Sequence, residues 1–199
     1  METVLAFGIL WVIFAVLIVI LNDKWSTLAL LAFNLTIAAF LLTETDVVGA
    51  LIKAALGIAS PVIILLAIGR TKQPKSRFSV PTLVIATVVT LVLSYLVAFL
   101  AQAQFPVGRS AEAYILILLL GIAFLIIISQ RSILKLLLGI LVLENVGTIL
   151  LALGENTALF AAVTEVFVVL ITFTIALIAV MDFDEYDTID TSKLTQLRG

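Results

Sequence analysis

Cysteine and histidine are both absent from the 199 residues of this chain. Thiolate-held clusters, ordinary haem ligation and most zinc sites therefore cannot be assembled from it alone. Nucleophilic triads built on Cys or His are excluded for the same reason. Charge is scarce as well, at 12% of residues against 63% hydrophobic, where a soluble domain carries roughly a quarter charged residues. There is no basic stripe with interleaved aromatics, so nucleic-acid binding has no support. What is abundant is apolar sequence, with a mean hydropathy of +1.32. A soluble protein this apolar would leave hydrophobic faces uncovered, and lipid is the solvent that suits it. A β-barrel does not fit, because its strands alternate polar and apolar residues whereas these runs are apolar all round.

A spanning helix needs about 20 apolar residues. Breaks of charge, Pro, Gly and Asn divide the chain into seven such spans, predicted over residues 4–21, 25–43, 47–68, 80–101, 112–129, 133–153 and 158–181. The expected fold is thus an all-α, polytopic integral membrane protein of about seven transmembrane helices. Asn22-Asp23-Lys24, Glu44-Thr45-Asp46, the basic stretch from Arg70 to Arg77, Pro106-Val107-Gly108, Gln130-Arg131-Ser132 and Gly154-Glu155-Asn156 are the expected turns. Pro81 suits a first helical turn. Met1-Glu2-Thr3 offers no positive flank and no clear small-residue cleavage site, so 4–21 reads as a retained helix.

Lys and Arg positions orient the spans. With the 70–77 loop cytoplasmic, strict alternation puts Lys24, Arg131, Lys135, Lys193 and Arg198 on the same side, leaving only Arg109 outside. The N-terminus is then expected outside and the C-terminus in the cytoplasm, in the inner (cytoplasmic) membrane.

Lys53, Glu144 and Glu165 lie well inside spans. A charge near a helix centre costs roughly 2.5–3.5 kcal/mol even on the lenient insertion scale, so such residues face protein or water and are functional candidates. Lys53, Gly57, Ser60 and Pro61 share one helical face. Pro61 cannot donate to the Gly57 carbonyl, which frees an acceptor one turn from Lys53. The competing reading is a Lys that snorkels to the surface. Glu144 sits near the middle of the sixth span with Thr148 on its face, beside Asn145, and Gly147 is expected to admit a close neighbour. In the seventh span, Thr172 lies two turns from Glu165 on the same face. For both acids the competing role is interhelical glue. At about 1.5 Å of rise per residue, all three ionisable residues fall in a similar layer of the bilayer. They are expected to form a proton pathway, together with Asn145 and Thr148.

Asn34, Thr36, Thr90, Ser94 and Thr172 read as packing or backbone-bonding residues. The twelve Phe residues scatter without a cofactor-like box. Trp11 and Trp25 are interface candidates, Trp11 being the deeper. The segment from Asp182 to Asp187 lacks EF-hand spacing and reads as a solvated acidic segment that docks on a basic partner.

The stretch Gln130-Arg131-Ser132-Ile133-Leu134, then Leu138-Gly139, Leu143-Glu144-Asn145 and Leu150-Leu151-Ala152-Leu153, resembles the hydrogenase-4 component E family. The ending Ile189-Asp190-Thr191-Ser192-Lys193-Leu194-Thr195-Gln196-Leu197-Arg198-Gly199 resembles that family's terminus. Residues 112–199 are also similar to the K subunit of bacterial complex I and, more distantly, to the C subunit of multisubunit sodium/proton antiporters. The resemblance divides the chain into an N-terminal four-helix region (1–111), a three-helix region (112–181) and a cytoplasmic acidic tail (182–199). It implies that Glu165, within Ala161-Ala162-Val163-Thr164-Glu165, matches the second of two glutamates on the K subunit's proton axis. The first would fall at Leu141 here, and the acid stands three residues on, at Glu144. Lys53 looks like a lysine that the family carries in its third helix.

The resemblance further implies a non-catalytic membrane-arm subunit of a group 4 [NiFe]-hydrogenase-type respiratory complex, moving protons or sodium. No cofactor is expected in this chain. The NiFe centre and iron–sulfur clusters would belong to peripheral hydrogenase subunits, and the membrane neighbours would be antiporter-like subunits and a quinone-site-type H subunit homologue. The rival readings are a K-type subunit of complex I, a stand-alone ion transporter, and a structural anchor. Against the transporter, no inverted repeat stands out and Pro61 is the only proline interrupting a span.

Overall fold

The computed structural model describes residues 2–43, 47–72, 78–101, 110–153 and 158–197. Among the described residues eight helices follow one another: α1 (Glu2–Ile20), α2 (Asp23–Thr43), α3 (Val47–Arg70), α4 (Val80–Ala101), α5 (Ser110–Ser129), α6 (Ile133–Ala152), α7 (Ala158–Tyr186) and α8 (Thr191–Leu197). The first seven are long and apolar enough to cross a membrane, and among the described residues there is no strand, only an isolated bridge between Ser132 and Asp190. The chain is an all-helical, multi-pass membrane protein. Helices are the expected answer in lipid, since every backbone N–H and C=O must find its partner within the segment.

Polar residues at the turns close the helix ends. Asn22 Oδ1 accepts from the Trp25 amide at 3.1 Å and caps α2. The Ser26 hydroxyl reaches back to the carbonyls of Ile18 and Leu21, at 3.0 and 2.9 Å, which α1 leaves without amide partners. Ser132 caps α6 by accepting from the Lys135 amide. Pro81 falls in the first turn of α4, where a missing N–H costs nothing. The expected turns at 44–46, 106–108 and 154–156, residues 73–77 of the basic loop, and Arg109 and Arg198 lie outside the described residues.

The two stretches divided at residue 111 interleave: α1 packs on α5, α2 on α6, and α3 chiefly on α2 and α7. Trp11 is not an interface residue. It is fully buried and meets Phe40 edge-on at 5.2 Å between ring centroids, whereas Trp25 is exposed. On α6 the close approach comes at Gly139, where a Cβ would lie 3.1 Å from the Ile127 backbone nitrogen. Gly147, expected to admit a neighbour, has nothing within 4 Å of an added Cβ.

The acidic segment also differs from expectation. Helix α7 runs on through Asp182 to Tyr186, because backbone bonding does not stop where the hydrocarbon does. It ends at Asp187, whose φ of 50° is the left-handed conformation that terminates helices. The chain then returns to the α5–α6 turn. The Ile133 amide donates to the Ile189 carbonyl at 3.3 Å, and the Thr191 amide to the Arg131 carbonyl at 3.0 Å. Ile189 is fully buried among Ala67, Leu134, Ala176 and Ala179. Asp182 and Asp190 are buried, and Asp187 pairs with Lys72 at 3.5 Å. The tail thus docks on its own chain. Asp190 caps α8 by accepting from the Ser192 amide (2.9 Å) and hydroxyl (2.6 Å). Burial pushes the Asp190 carboxyl up, but these bonds and the nearby Arg131 charge outweigh it and hold the group below the ordinary carboxylate value.

Candidate functional site

Helix α3 presents one stripe to its neighbours: Gly49, Ala50, Lys53, Gly57, Ser60, Pro61, Ile64 and Ala67 are its buried residues. Lys53 is therefore aimed inward and does not snorkel; only 2% of it is exposed. Its ammonium donates to both carboxylate oxygens of Glu144 on α6, at 3.2 and 3.1 Å. It also pairs with Oε1 of Glu165 on α7. The Glu144 and Glu165 side chains are 11% and 3% exposed. The Thr148 hydroxyl, one turn along α6, donates to Glu144 Oε1 at 2.8 Å. Lys53, Glu144, Glu165 and Thr148 thus converge from three helices, two carboxylates facing one ammonium.

Asn145, expected in the same pathway, turns elsewhere. Its Nδ2 donates to Asn34 Oδ1 at 2.8 Å. Asn34 Nδ2 in turn donates to the Gly57 carbonyl at 2.6 Å, the acceptor that Pro61 frees. This places Asn34 among the backbone-bonding residues, as its position in the second span suggests. The two amides tie α2, α3 and α6 together one turn from Lys53. Gly57 permits the approach, since a Cβ there would stand 3.0 Å from the Asn34 Cβ. A side chain on residue 57 would push Asn34 off the carbonyl.

Sequence reading did not single out a second polar group, at the end of the bundle. The Lys135 ammonium, buried at the start of α6, donates to the Leu21 carbonyl just past the end of α1 and stands 3.9 Å from Asp23 Oδ1. A cleft of about 360 Å³ opens beside it, lined in part by Lys24, Phe78, Gln130 and Arg131. The signal for this pair was an Asp and a Lys each in the first turn of a helix, which reads as ordinary capping until the turns are seen together.

Chemically, the cluster on α3, α6 and α7 can hold and release protons. Among the described residues no group of three metal-ligating His, Cys, Asp or Glu side chains converges. Comparison with family models, curated proteins and solved structures gives no match for this chain.

Proposed function

We propose that the chain is a non-catalytic membrane-arm subunit of a group 4 [NiFe]-hydrogenase-type complex, and that Lys53, Glu144 and Glu165 carry protons through it. The observation behind the proton role is the cluster itself. Fully ionised, it has two negative charges and one positive, deep in low dielectric. One proton on the carboxylate pair makes it neutral, so loading and unloading that proton changes the buried charge by one unit. Charge changes of this kind are what coupled membrane machines exploit. Lys53 touches both carboxylates and can follow whichever is ionised.

A proton suits the arrangement better than sodium. A sodium ion would need the carboxylate oxygens, and the Lys53 ammonium already occupies the place beside both of them. Membership of the hydrogenase-type complex rests on the resemblance carried within residues 130–153 and by 189–199, and the NiFe centre, iron–sulfur clusters and hydrogen chemistry are assigned to partner subunits. The proposed orientation, with the C-terminus in the cytoplasm of the inner membrane, is supported by Lys24, Arg131 and Lys135 gathering at one end of the bundle.

Two measurements test this reading. Tagged full-length chain, extracted from its own membranes in mild detergent, should carry nickel and iron with peripheral subunits; a metal-free, unaccompanied chain would overturn the assembly. In inverted vesicles, Glu165→Gln assembled at the normal level should abolish proton uptake driven by the complex. Undiminished uptake would overturn the role of the cluster.

A further inference from the structure

The seam between α3 and α7 carries a second polar level. Its register is fixed at three heights, by Lys53 with Glu165, by Ala67 with Ala176 and Ala179, and by Lys72 with Asp187. The two helices therefore run in the same direction. The separation of 112 residues that pairs Lys53 with Glu165 also separates Ser60 from Thr172, each seven residues further along its helix. At about 1.5 Å per residue, both stand roughly 10 Å from the cluster, at one height.

Ser60 and Thr172 are 2% and 0% exposed, and neither hydroxyl has a hydrogen-bond partner among the described residues. Hydroxyls in spanning helices ordinarily bond the carbonyl one turn back. Thr27, Thr87 and Thr174 do so here, at 2.7, 2.7 and 2.9 Å. Ser60 and Thr172 depart from that habit on two facing helices at the same level. Buried groups of this kind are satisfied by internal water. Just beyond them, a cleft of about 240 Å³ runs between the helices, lined apart from Arg70 by apolar residues, among them Ile63 and Ala67 on one side and Phe173, Ala176 and Val180 on the other. It begins within a turn of both hydroxyls and reaches the Arg70 end of α3.

We propose that Ser60 and Thr172 hold water between α3 and α7 and relay protons from this cleft to the Lys53–Glu144–Glu165 cluster. In each step a hydroxyl oxygen accepts a proton from one neighbour and releases its own to the next, so neither side chain is changed. The relay rests on the proton-carrying reading of the cluster and gives that cluster a route to one membrane face.

The test uses full-length chain in lipid nanodiscs, transferred from H₂O to D₂O while the infrared band of protonated carboxyl is followed. The band should be present in the parent and reduced in Glu165→Gln. Its deuterium exchange should slow on the order of tenfold in Thr172→Val and in Ser60→Ala, the scale set by losing about one hydrogen bond. Thr172→Val keeps the side-chain shape, and Thr172→Ser should restore the rate. Unchanged exchange in both variants overturns the relay while the cluster stands. Absence of a protonated-carboxyl band from the parent at neutral pH, where exposed carboxyls are ionised, overturns the proton-carrying cluster itself.

Discussion

Two buried lysines of this protein make opposite use of the same chemistry. Lys53, about two turns into α3, faces two carboxylates from two other helices. Lys135, at the start of α6, faces one carboxylate at 3.9 Å and a helix-terminal carbonyl. The second arrangement balances its charge and satisfies an oxygen that α1 leaves unpaired, which makes it a clamp between two turns. The first is one charge out of balance within the spans, where imbalance is expensive. A surplus acid in the bilayer is a place to keep a proton, and a matched pair near the surface is not.

The comparison predicts unequal costs. Lys53→Met strands two carboxylates in the core and should destabilise the protein by about 3–5 kcal/mol, read as loss of thermal stability in detergent. Adding Glu165→Leu should recover part of that loss. Lys135→Met removes one hydrogen bond and a longer ion pair, and should cost about 1–3 kcal/mol in the same assay. Equal losses would break the distinction.

The amide bridge sharpens it. Asn34→Ala leaves the Gly57 carbonyl and the Asn145 amide unpaired and should cost about 1–3 kcal/mol. Pro61→Ala returns an amide to the Gly57 carbonyl, so Asn34→Ala should cost less in that background. Purely additive losses in the double-mutant cycle would show that Asn34 does not answer the proline.

The smallest effect is expected at the docked tail. The Asp190 carboxyl sits below its ordinary value of 3.8 when folded. Its contribution is therefore present above that value and lost as pH falls through the lower, folded one. Protection of the Ser192 and Lys193 amides, taken relative to their intrinsic exchange rate at each pH, should stay flat from neutral pH down to about 4 and fall only below. Asp190→Ala should lower that protection from neutral pH down to about 4 by the loss of a cap, about 0.5–1 kcal/mol. A transition near neutrality in the parent would point to a different group.

Much of this could be read from residue order. Each span is one continuous apolar run, and Lys53, Glu144 and Glu165 stand out because each is a charge inside such a run. The face of α3 followed from helical spacing, and so did the freed Gly57 carbonyl. The full length of α7 was not readable, since charges past residue 181 end a hydrophobic run without ending a helix. Nor was the destination of Asn145, whose neighbours in sequence lie on α6 while its partner lies 111 residues away on α2.

Composition and spacing alone therefore determined the solvent, the helices and which side chains cannot face lipid, because the bilayer judges each segment separately. Only tertiary structure decided that Lys53 meets Glu144 and Glu165, across 91 and 112 residues. It also decided that Ser60 and Thr172 stand level between α3 and α7. Which faces meet depends on how seven similar apolar cylinders pack, and hydrophobicity, being non-directional, leaves that choice to the few polar groups that must find one another.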